Sequence, residues 1–150
     1  MRWFLILAVA VSACARPGGT PATSGATRVD SLELIVASTT DVHGWLRGWD
    51  YFANAADSTR GLSRIATVVD SLRSANGDRV VLVDAGDDLQ GTPITSVALR
   101  DSLRPNPIIA AMNAIRYDAA VIGNHEFNYG LGYLDRAIKQ ATFPFIAANV

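Results

Sequence analysis

Three short β-branched apolar runs, residues 32–38, 79–84 and 119–122, each pass straight into a loop rich in glycine and in side chains that carry oxygen or nitrogen. Runs of this length suit strands buried in a sheet. Between the first two, Leu62, Ile65, Val68, Val69 and Leu72 recur at helical spacing and form one apolar stripe. Residues 108–115 predict a helix before the third run, and Leu131, Leu134 and Ile138 predict another before a strand at residues 145–148. Strands alternating with helices predict an α/β fold. In such folds ligands gather where strands end and loops turn over the sheet edge.

A chain of 150 residues with 49% hydrophobic and 18% charged content supports one packed domain and excludes a disordered or fibrous class. The formal charge of −1 provides no basic surface, so long nucleic acid is not an expected partner. The amino end departs from the pattern. Arg2 precedes an apolar run over residues 3–13, far shorter than the ~20 residues of a membrane-spanning helix, which is the layout of a secretory signal. That run closes on Val11-Ser12-Ala13-Cys14, which resembles a bacterial lipobox, where the cysteine thiol receives diacylglycerol; the other reading is an ordinary cleavage site with an incidental cysteine. Residues 1–14 are thus expected to be a lipoprotein signal peptide, 15–28 a flexible linker with almost no bulky apolar group, and 29–150 the folded part. The implied location is that of an exported lipoprotein, anchored to a membrane in the periplasm or at the cell surface. Cys14 is the only cysteine, so no internal disulfide can form.

The three loops carry the chemistry. In Ser38-Thr39-Thr40-Asp41-Val42-His43-Gly44, Asp41 and His43 stand two apart. In an extended segment residues at that spacing face one side, so a carboxylate and an imidazole could grip one cation; alone, the pair reads equally as a turn-capping Asp beside a surface His. The second loop, Val83-Asp84-Ala85-Gly86-Asp87-Asp88-Leu89-Gln90-Gly91, offers three carboxylates. One Asp after a glycine can bridge two ions ~3.5–4 Å apart. Asp87 suits that role, while Asp84 still belongs to the strand and Asp88 would face away from Asp87 along an extended backbone. Gly91-Thr92-Pro93 predicts the end of this loop and the start of a helix. The third loop, Gly123-Asn124-His125-Glu126-Phe127-Asn128-Tyr129-Gly130, supplies Asn124, whose amide oxygen is a tolerable hard ligand, and an adjacent imidazole, His125, free for a different task.

Together these loops resemble the calcineurin-like metallophosphoesterase superfamily, in its secreted nucleotidase branch. The segment Tyr117-Asp118-Ala119-Ala120-Val121-Ile122-Gly123-Asn124-His125-Glu126-Phe127-Asn128 is similar to the second signature of the 5'-nucleotidase family, and Asn128-Tyr129-Gly130-Leu131 looks most like its bacterial 2',3'-cyclic-nucleotide 2'-phosphodiesterase/3'-nucleotidase branch. The resemblance runs from about Leu34 to Val150 and implies a partial calcineurin-like α/β sandwich, incomplete at the carboxy end. It selects Asp87 among the three carboxylates, and implies Asp41, His43, Asp87 and Asn124 as metal ligands, His125 as the catalytic residue that stabilises the developing charge or protonates the leaving oxygen, and Asn128 as the residue orienting its ring. Glu126 is not a principal ligand in the family and reads as a structural hydrogen-bonding group. Many 5'-nucleotidases carry Asp at the position of Asn128, which adds no charge beside the imidazole.

The resemblance further implies two divalent ions, commonly zinc, manganese or cobalt. The implied reaction is hydrolysis of a 2',3'-cyclic nucleotide to a 3'-nucleotide and then to nucleoside and phosphate, with a 5'-nucleotidase or UDP-sugar hydrolase of the same family as the alternative. Two such ions need around seven or eight ligands and waters, yet the chain has only two histidines, both already assigned. Family members draw further histidines from downstream loops and bind the base with a separate carboxy-terminal domain, so the chain is expected to be the amino-terminal piece of a longer enzyme. The alternative from another class is a lipid-anchored protein that binds a metal without catalysis. Trp45 and Tyr129 flank the loops and could stack on a base, but read more simply as core or rim aromatics. No Gly-x-x-x-x-Gly-Lys-Ser/Thr loop, zinc-protease helix or Gly-x-Ser-x-Gly elbow is present.

Overall fold

The computed structural model describes residues 31–101 and 104–148. The expected signal segment with Cys14, the linker and the first residues of the folded part lie outside the described residues. The chain runs β1 (Ile35–Thr39), β2 (Trp49–Asp50), β3 (Ala55–Ala56), α1 (Leu62–Asn76), β4 (Val80–Asp84), α2 (Pro93–Arg100), α3 (Pro107–Ile115), β5 (Ala119–Val121), α4 (Leu131–Gln140) and β6 (Phe145–Ile146), with short 3-10 turns at Gly77–Arg79 and His125–Phe127. Strands β1, β4, β5 and β6 form a parallel sheet in that order, which is the α/β architecture the alternation predicts. The two-residue strands β2 and β3 pair as a separate antiparallel ribbon, too short to leave a period in the sequence.

Local chemistry sets the helix ends. Pro93 opens α2 at a position where its missing N–H leaves no bond unmade, as Gly91-Thr92-Pro93 predicted. At α3 the Asn106 side chain accepts from the N–H groups of Ile108 and Ile109, at 2.9 and 3.3 Å, a cap whose loss costs about 1 kcal/mol. The other end of α3 closes on Arg116, in the left-handed region at φ 62. Arg73 of α1 donates to the carbonyls of Ile115 and Arg116 there, satisfying acceptors the helix cannot.

Period-2 alternation divides the sheet. Val80, Leu82 and Ala120 are buried on the face that carries the helices, where α1 packs on β4 and α3, and α3 touches α2 and α4. The core centres on Leu62, Val69, Leu82, Ile108, Ile109 and Met112; burying each such side chain contributes ~1.5–3 kcal/mol. Val68, part of the predicted apolar stripe, is instead exposed. Alternate strand residues Val36, Val121 and Ile146 face away from the helices, and Val36 is 66% exposed. Parallel sheets in α/β folds are ordinarily covered on both faces; among the described residues only one is.

The register aligns Thr39 with Asp84 and Asp84 with Ala120, so three strands finish at one edge. Pairing of β1 with β4 then continues into the loops: Ala85 N–H donates to Thr39 O at 2.9 Å, Asp41 to Gly86 at 3.0 Å, His43 to Asp87 at 2.9 Å and Gly44 to Asp88 at 2.8 Å.

Candidate active site

That continued pairing lays the first two loops side by side, but the backbone within them is not extended. Asp41 (φ 53), His43 (φ 46) and Asp87 (φ 69) all adopt left-handed conformations, as does Gly86 at φ 93. Left-handed non-glycine residues cost of order 1–3 kcal/mol each and persist where surrounding structure holds them. The expectation that Asp41 and His43 share one face of an extended segment is corrected in its reason. Their side chains meet, with Asp41 Oδ1 3.5 Å from His43 Nε2, because two left-handed residues fold the loop back.

His43, Asp87 and His125 each present one ligand atom within 4.8 Å of the others, and all three are half-buried. Backbone contacts hold the trio. His43 Nδ1 lies 3.0 Å from the carbonyl of Gln90; an Nδ1–H donated to that acceptor leaves the Nε2 lone pair free, the arrangement that prepares a histidine to ligate. Asp87 Oδ1 accepts from the His125 backbone N–H at 2.8 Å, tying the second loop to the third. The two imidazoles stand edge to face with centroids 5.1 Å apart. Asn128 Nδ2 lies 2.8 Å from His125 Nδ1; donation from the amide to that nitrogen places the ring proton on Nε2.

The six residues singled out in these loops are thus distributed unevenly. Asp41 sits at the rim, its side chain 58% exposed and accepting from Thr40 Oγ1 at 2.5 Å. Asn124 is exposed at the N-cap position of the 3-10 turn. His125, read as the catalytic residue, stands among the ligand atoms.

Beneath the rim lies a second layer of polar groups. Glu126, 1% exposed, accepts four backbone N–H bonds: Gly123 and Asp87 on Oε2 at 2.9 and 2.8 Å, Asp88 and Leu89 on Oε1 at 2.5 and 3.2 Å. Asp84 accepts from Thr39 Oγ1 and from Gly86 N–H, the latter at 2.6 Å. Thr39 Oγ1 also contacts Tyr117 Oη at 3.0 Å, and burial pushes that phenol up to about 12. Asp88 is 2% exposed and neither oxygen has a hydrogen-bond partner among the described residues. Burial first, and then the charge of neighbouring Asp84, push its carboxyl up to about 9, so at neutral pH it is protonated. Asp88 belongs to this lower layer, and the extended backbone expected to turn it away from Asp87 is absent, since Asp87 is left-handed.

A cavity of about 700 Å³ runs between β1 and α1, lined by Ala37, Leu82 and Val69 and reaching Asp41 and His43 at one end. Arg60 stacks on Trp45 beside it, 4.4 Å from the ring centroid. The reading of Trp45 as a rim aromatic agrees with this placement. What sequence reasoning missed is the Gln90 carbonyl, for which no side-chain signal exists, and the Thr39–Asp84 contact, whose partners lie 45 residues apart.

No family model matches the chain. Over 126 residues it is 40% identical to the "Trifunctional nucleotide phosphoesterase protein YfkN" of Bacillus subtilis, a match spanning 79% of this chain and 8% of that protein. It is 42% identical over 122 residues to the 2',3'-cyclic-nucleotide 2'-phosphodiesterase/3'-nucleotidase of Haemophilus influenzae, spanning 79% of this chain and 18% of the relative. A snake venom 5'-nucleotidase from Gloydius brevicauda is 38% identical over 124 residues, with 80% and 20% spanned. The crystal structure of the calcineurin-like phosphoesterase YfkN matches with a TM-score of 0.70 at 39% identity, over 75% of this chain and 36% of that one. The chain therefore spans a fifth or less of the length of these three relatives.

Proposed function

Since the chain belongs to the calcineurin-like phosphoesterases, we propose that its three loops serve metal-assisted hydrolysis of nucleotide phosphoesters, taking a 2',3'-cyclic nucleotide to the 3'-nucleotide and then to nucleoside and phosphate. The observation that carries this is the approach of His43, Asp87 and His125 to within 4.8 Å at the edge where three strands end. The Asp87 carboxylate and the His43 imidazole are donors suited to zinc, manganese or cobalt, and His43 keeps Nε2 available by engaging Gln90 through Nδ1, while His125 stands beside them as the proton-bearing ring.

In this reading Asp41, His43, Asp87 and Asn124 hold two divalent ions. When bound, the ions supply Lewis acidity to the phosphoryl oxygens and lower the pKa of water toward ~7. His125 donates the proton on Nε2 to the leaving oxygen. Asn128 holds the ring by Nδ1 at 2.8 Å, and its amide gives orientation without charge. A 5'-nucleotidase is the second reading, favoured by the 38% identity to the Gloydius enzyme. The proposal extends to export and membrane anchoring through Cys14; a Cys14→Ala variant that remains in the membrane fraction would remove that part.

Phosphate release from 2',3'-cyclic AMP, 3'-AMP and 5'-AMP, with Mn²⁺, Zn²⁺ or Co²⁺ and then with a chelator, tests the reading. Chelator-sensitive turnover of the first two substrates supports it, and turnover confined to 5'-AMP transfers it to the 5'-nucleotidase. Cation binding without turnover of any of the three leaves the non-catalytic metal-binding protein.

A further inference from the structure

We propose that Glu126 is a positioning residue, whose carboxylate sets the separation of Asp87 and His125 by gathering backbone N–H groups from two loops onto one buried anion. The proposal rests on the metal-binding reading of the cluster. A residue that only finished its own turn would need only Gly123, the donor from its own loop. Glu126 takes three more from the opposite loop, at the consecutive positions Asp87, Asp88 and Leu89. Consecutive N–H groups converge on one point only where the backbone forms a concave nest, and the left-handed φ of 69 at Asp87 provides it.

The contact is reciprocal. Asp87 sends its N–H to Glu126 and receives, on Oδ1, the N–H of His125, the residue preceding Glu126. Each loop therefore fixes the other, and Asp87 and His125, the ligand and the proton donor of that reading, are held together through one carboxylate. Two glycines admit the approach: a Cβ on Gly123 would lie 2.3 Å from Asp87 Oδ1, and one on Gly86 would lie 2.5 Å from Gly123 N. Gln cannot substitute, because its NH₂ group would face donors. Asp is one methylene short of spanning both loops.

The test uses Glu126→Gln in the full chain, with two readouts: Co²⁺ affinity by absorption titration, and amide hydrogen exchange by NMR without metal. The expected result is Co²⁺ binding weakened about 10-fold or more, the range for loss of a group that orients metal ligands, and lost protection at the His125 amide, which Glu126 does not touch. Arg73→Ala, which removes the donor to the Ile115 and Arg116 carbonyls at the end of α3, serves as a control for general destabilisation and should leave both readouts unchanged. Wild-type Co²⁺ affinity in a folded Glu126→Gln chain, or an unchanged His125 amide, overturns the proposal. Should Glu126→Gln fail to fold, Glu126→Asp takes its place: it is expected to lose protection at residues 87–89 and at His125, and retention of His125 protection overturns the proposal. If the unsubstituted chain binds no Co²⁺, the metal reading fails, while the exchange arm still decides the positioning role.

Discussion

The rim of the site and the layer beneath it use the same residue types for opposite ends. Above, Asp41, Asp87 and the two imidazoles are open or half-open to solvent, and His43, Asp87 and His125 bring one side-chain N or O atom each within 4.8 Å of the others. Below, Asp84, Asp88 and Glu126 are almost fully buried. Two of these spend their oxygens on the chain's own N–H and O–H groups, and the third keeps a proton. Asp87 gives one oxygen to a backbone N–H and remains half-buried at the rim, whereas Glu126 gives both of its oxygens to backbone N–H groups in the interior. Asp87 and Asp88 are neighbours in sequence and fall on opposite sides of that division.

The comparison breaks most sharply at Asp87. Asp87→Ala removes a proposed ligand and the acceptor of the His125 N–H together, so Co²⁺ affinity measured by calorimetry should fall at least ~100-fold, above the usual range for loss of an orienting group alone. Pressing on the junction of the two layers is next. Gly123→Ala drives a Cβ toward Asp87 Oδ1 and should destabilise the fold by about 3 kcal/mol, the upper part of the range for overpacking, in urea denaturation.

Asp88→Asn sharpens the lower half of the comparison. The folded-state pKa is raised from 3.8 to about 9, so the folded chain keeps a proton that the unfolded chain releases. The stability tied to this group is complete below about pH 3.8 and falls as pH rises toward 9. Asn mimics the protonated acid and does not titrate. With a chelator present, the melting-temperature gain of the variant over the unsubstituted chain should therefore grow from pH 5 to pH 8; a gain independent of pH would count against a protonated Asp88. The smallest effect belongs to Asp41→Asn. Asp41 is solvated, with 58% side-chain exposure, and Asn keeps a ligating oxygen while losing the charge. Co²⁺ affinity should therefore fall, but by less than with Asp87→Ala; an unchanged affinity would remove Asp41 from the proposed ligand set.

The elements were legible where burial imposes a period. β4 starts one residue after its predicted start, and α3 and α4 fall where Ile108, Ile115, Leu131 and Ile138 placed them. β1 begins at Ile35 and not at Leu32, because Leu32 and Leu34 are exposed and make no sheet contact that would hold them as strand. The site was legible as three motif loops. Its inner geometry was not, since left-handed turns at Asp41, His43 and Asp87 leave no apolar period and follow from long-range backbone bonds. Glu126 could be read as a hydrogen-bonding group, but its four donors lie on two loops, and only the folded chain shows them converging.

The trio comes from three loops far apart along the chain; even the nearest pair, Asp87 and His125, is separated by 38 residues. Closing loops of that length precedes any reward from the contacts they make, so parallel pairings of this kind form late. An unfolded chain consequently offers an ion nothing resembling this pocket. Any cation held there binds the folded state alone, and at 100 times its dissociation constant it would add about 2.7 kcal/mol to the folding free energy. The ion content of the surroundings then becomes a variable of folding as well as of chemistry.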